Sequence, residues 1–61
     1  MLSNGEIYHM AFSLHEEFLR KGFQVGIIEL RDHLKELNKQ DIPKPELEEK
    51  ARQWAESKKK R

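Results

Sequence analysis

A compact all-α domain of three helices is the fold that this 61-residue sequence predicts. Three observations carry that reading. Apolar residues recur at helical spacing in three separate stretches, a capping signal and a glycine bracket the first stretch, and a Pro-x-Pro segment separates the second from the third.

The first helix is expected at about 4–21. Ser3-Asn4-Gly5-Glu6 has the form of a capping box, in which the serine hydroxyl accepts from the amide three residues on and the glutamate carboxylate reaches back to the serine amide. Ile7, Met10, Ala11, Leu14 and Phe18 follow on one helical face, and Tyr8, Phe12 and Leu19 widen it. Arg20 and Lys21 suit the negative end of the helix dipole, and Gly22 suits the left-handed residue that ends a helix.

The second helix is expected at about 25–38. Ile27, Leu30, Leu34 and Leu37 are three, four and three residues apart and form a seam. Val25 and Ile28 are expected to add to its buried side. Its start is weakly marked: Gln24 or Phe23 would have to cap it, and a helical Gly26 would cost roughly 1 kcal/mol relative to alanine. Asn38 is read as the residue just past its end.

Pro43 and Pro45 exclude a helix across the connection, and Pro45 suits the first position of a third helix at about 45–58. Glu46, Glu48 and Glu49 match the positive end of that helix, and Lys58 to Arg61 match its negative end. Its apolar stripe, Leu47, Ala51, Trp54 and Ala55, is narrow, and Ile42 is expected to plug the core from the loop. The expected core is Ile7, Met10, Ala11, Leu14, Phe18, Ile27, Leu30, Leu34, Leu37, Leu47, Ala51 and Trp54.

At this length the expectation is one domain, 1–61, with a thin core. The absence of cysteine excludes disulfides and thiolate metal sites. Neither a signal peptide nor a membrane-spanning run is read, and a cytoplasmic location is expected. The net charge of +1 conceals a split: residues 1–57 hold eight Lys/Arg against eleven Asp/Glu, and the last four residues are all basic.

Catalytic chemistry finds no support in the residues. His9 and His15 do not share a helix face, and Glu29 with His33 makes only one helical pair, short of a metal site. No phosphate-cradling glycine motif or activated-serine motif occurs. A chain this small is also expected to have little room for a pocket. The expectation is therefore a non-enzymatic protein with no cofactor, metal or small-molecule substrate.

What remains is binding. Tyr8, Phe12 and Leu19 exceed the width that a small bundle can bury from one helix, and they mark a candidate surface for another protein or for a second copy of the chain. The alternative is a helix-turn-helix-like nucleic-acid binder using the third helix and tail, with Lys50, Arg52, Lys58, Lys59, Lys60 and Arg61 as candidate phosphate contacts. Against it, three glutamates occupy the first turn of the would-be recognition helix, and the connection is longer than the usual turn.

Overall fold

A computed structural model describes residues 2–58. The fold is all-α, with α1 at Asn4–Arg20, α2 at Ile27–Asn38 and α3 at Lys44–Glu56. Contacts between the helices fix an up-down-up arrangement. Leu2 meets Asn38 and Tyr8 meets Arg31, so α1 and α2 run antiparallel. His33 stacks on Trp54 and Glu29 pairs with Lys58, so α2 and α3 are antiparallel as well.

Local chemistry explains both ends of α1. Ser3 N–H donates to Glu6 Oε1 at 3.0 Å and Glu6 N–H donates to Ser3 Oγ at 3.2 Å, which completes the expected capping box. The bond from the Ser3 amide also holds the Glu6 carboxyl below its ordinary value. At the other end Gly22 adopts φ +81°, as its place after the helix requires. Phe23 N–H then reaches Phe18 O at 2.9 Å and Gly22 N–H reaches Leu19 O at 3.1 Å, the paired bonds of a Schellman motif. The hydrophobic contact that accompanies such a motif is here the Phe18–Phe23 ring pair, with centroids 5.6 Å apart.

The start of α2 differs from the expectation. Val25 and Gly26 precede the helix, and Gly26 itself is the cap, in extended conformation. The reason lies three residues on: Glu29 Oε1 accepts from the Gly26 N–H at 3.4 Å. Glycine has no side chain to return the favour, so this is half of a capping box. Asn38 is also corrected. It ends α2 as a buried helical residue, and the left-handed position falls on Asp41, φ 57°. The side chain of Asn38 explains its burial: Nδ2 donates to Leu2 O at 2.9 Å, and Leu2 N–H donates to Asn38 Oδ1 at 3.0 Å. The amide thus imitates a strand partner for residue 2.

α3 begins one residue early and ends before Lys58. Pro45 falls at its second position, where a missing N–H still breaks no intrahelical bond. Ser57 Oγ donates to Trp54 O at 2.6 Å at the C-terminal end.

Among the described residues, twelve apolar ones form the buried core: Ile7, Met10, Ala11, Leu14 and Phe18 from α1, Phe23 and Val25 from the link, Leu30 and Leu34 from α2, and Leu47, Ala51 and Ala55 from α3. Ile27, Leu37 and Trp54, expected inside, lie partly buried at its margin together with Leu2 and Ile42. Ile28, expected on the buried side, is 57% exposed.

Candidate protein-contact face

The first helix has two apolar faces rather than one wide one. At about 100° per residue, Ile7, Met10, Ala11, Leu14 and Phe18 gather on the core side. Tyr8, Phe12, His15 and Leu19 gather on a second stripe centred about 110° away. Of these, Tyr8 is 44%, Phe12 61% and Leu19 59% exposed, while His15 is half-buried. The three residues singled out in the sequence therefore stand together on the surface and do not close the core.

Two residues of α2 join them. Arg31 Nη1 donates to the Tyr8 hydroxyl at 3.3 Å, and the guanidinium lies 5.6 Å from the Tyr8 ring centroid. Ile28 is one turn before Arg31 on the same flank of α2. Because the helices run antiparallel, it lies at the level of Phe12. Sequence reading missed Ile28 by adding it to the buried side of α2, although it sits about 100° around the helix from its neighbour Ile27.

The third helix packs on the opposite flanks and leaves this face open. Arg52 Nε donates to Glu17 Oε2 at 2.9 Å, which ties α3 to α1. The Arg52 bond, helped by Lys21, holds the Glu17 carboxyl below its ordinary value. Between α2 and α3, the His33 and Trp54 rings stack 4.4 Å apart. Lys58 Nζ sits 5.4 Å from the Trp54 centroid and 3.3 Å from Glu29 Oε2. Burial, with the Lys58 charge adding to it, holds the His33 imidazole below its ordinary value.

These contacts engage two of the candidate phosphate ligands. Arg52 is committed to Glu17 and Lys58 to Glu29 and Trp54, while Lys50 stands exposed. Lys59, Lys60 and Arg61 lie outside the described residues.

One concavity departs from the expectation of little room. An open groove of about 450 Å³ runs between the start of α3 and the N-terminal half of α1, lined by Ser3, Glu6, His9, Met10, Lys44 and Glu48 among others. Its chemistry is modest: the Glu6 carboxylate and the Ser3 hydroxyl are spent on the helix cap. Among the described residues, no three His, Cys, Asp or Glu side chains converge to hold a metal ion, and no helix is long and apolar enough to cross a membrane. No protein-family model, curated protein or solved structure matches this chain.

Proposed function

We propose that this chain is a non-enzymatic protein-contact module, a small regulator or adaptor that docks through the outer face of its α1–α2 pair. One observation carries the reading. Among the described residues, Tyr8, Phe12, Leu19 and Ile28 are the exposed large apolar side chains, and at about 100° per residue in two antiparallel helices all four fall on that one face. Scattered singly, such residues are ordinary on a protein surface; gathered on one face they are the mark of a binding surface. Aromatic residues and an arginine, here Tyr8, Phe12 and Arg31, are also the types enriched where proteins meet.

Photo-cross-linking tests the proposal. A benzoylphenylalanine placed at Phe12 in cells expressing the chain is expected to form a covalent adduct with a protein, and the same probe at exposed Lys50 on α3 is expected to form none. Equal labelling from both positions, or no adduct from either, would sink it.

A further inference from the structure

We infer that the occupant of this face is a second copy of the same chain, with the two α1 helices packed antiparallel about a twofold axis near residues 13–14. The inference rests on the protein-contact reading of the face and names its partner.

The spacing is the first support. Tyr8, Phe12, His15 and Leu19 are four, three and four residues apart, the register of a two-helix seam. A twofold axis perpendicular to α1 sets Tyr8 against Leu19 of the other copy and Phe12 against His15 of the other copy. Each contact occurs twice, as an isologous interface demands. The same axis brings the two α2 helices to one side of the α1 pair, so that Ile28 of each copy closes the seam from that side.

Polar pairing is the second support, and it selects the direction. His9 and Glu16, the positions that follow Tyr8 and His15 of the seam, lie on the flank of α1 away from α2. Antiparallel pairing sets His9 of one copy beside Glu16 of the other, twice. Parallel pairing would set each against the opposite flank of its neighbour, where Ala11 and Phe18 are buried and offer no polar partner. Neither the His9 nor the Glu16 side chain has a hydrogen-bond or ion-pair partner among the described residues, so both are free to make the cross-copy pair.

Area is the third. The four apolar side chains expose on the order of 400 Å² together, about half of the ~800 Å² that each partner contributes to a stable interface. The flanking His9, Glu16, Arg31 and Lys35 supply a polar rim of the kind that completes such an area.

Sedimentation equilibrium of the full chain across micromolar to millimolar concentration tests the inference, and a charge swap tests the register. The wild-type chain is expected to be a dimer at the upper end. Phe12→Asp is expected to raise the dissociation constant at least about a hundredfold with the helical circular dichroism unchanged. His9→Glu sets two carboxylates together and Glu16→Lys removes the acceptor for the His9 ring N–H, so each is expected to weaken the dimer roughly three- to tenfold, and the double variant, which pairs a carboxylate with an ammonium, is expected to restore it. A monomer at all concentrations, or a double variant weaker than either single one, would overturn the antiparallel pairing. The Phe12 cross-link separates this outcome from the parent reading. An adduct of twice the chain mass supports both. An adduct only with a different protein keeps the contact face and overturns the self-pairing.

Discussion

Asn38 shows what one side chain can do for a thin core. Both halves of its amide are used, one accepting from and one donating to the backbone of Leu2, and the residue is only 9% exposed. Truncation would leave the half-buried Leu2 N–H and C=O without their partners, so Asn38→Ala is expected to cost about 1–2 kcal/mol in urea unfolding. Asn38→Asp should be nearly as costly, because a carboxylate cannot donate to the Leu2 carbonyl. His33 is the second residue whose chemistry can be measured. Its folded-state value lies below the ordinary 6.5, so the unfolded chain takes up a proton at higher pH than the folded one does. The stability contributed by neutral His33 is complete above about pH 6.5 and is lost as pH falls from there through the folded value. Glu17 titrates in a separate window, because its lowered value places the loss of its contribution below the ordinary 4.5. His33→Phe keeps an aromatic stack on Trp54 and removes the proton, so the decline in melting temperature between pH 7 and 5 should flatten. An unchanged slope in that variant would assign the effect to another group.

At the scale of elements, the sequence was most legible where backbone chemistry is local. The Ser3–Glu6 box and Gly22 were readable because each satisfies orphan backbone groups within four residues. The start of α2 was less so. Its cap is a glycine held by Glu29, and glycine signals flexibility as readily as it signals a cap. That half-finished cap gives a direct prediction. Gly26 has φ −74°, and a Cβ there would meet only the Glu29 Cβ at 4.0 Å. Gly26→Ser adds the missing hydroxyl and removes unfolded-state freedom, and it should raise stability by about 0.5–1 kcal/mol in thermal or urea melts. Phe23 was missed for a related reason. It follows Gly22, so it reads as a loop residue, yet the Schellman geometry returns it onto Phe18. The candidate face was legible in three of its four members. Ile28 was not, because an isoleucine beside a seam residue reads as core until the antiparallel partner is known.

Across the whole molecule the core is divided unequally. Five buried residues come from α1, whereas α3 contributes one leucine and two alanines. Leu34 is fully buried near the centre of α2, and Leu34→Ala should cost about 2–5 kcal/mol, a large share of the stability of so small a fold. A neutral effect in a thermal melt would mean that the seam of α2 is not where these contacts place it. Sequence periodicity identified this inner surface because burial imposes a repeat. It identified the outer surface only by excess, through apolar residues that the core had no space to accept.

The clamp between Leu2 and Asn38 has a consequence for how the molecule breathes. It ties the open end of the α1–α2 hairpin, while the Gly22 turn closes the other, so these two helices form a loop fastened at both ends. Among the described residues, the far end of the third helix is tied only by an exposed pair, Lys58 with Glu29, and the helix otherwise holds on by its narrow stripe and the Arg52–Glu17 bond. Native-state hydrogen exchange should therefore find a partial opening in which the amides of Leu47–Ala55 lose protection while those of Leu14 and Leu34 keep theirs. Uniform protection free energies across all three helices would count against it. In that opened form the outer surface of the hairpin is unaltered, so a partner seated there would stay bound while the rest of the fold comes and goes.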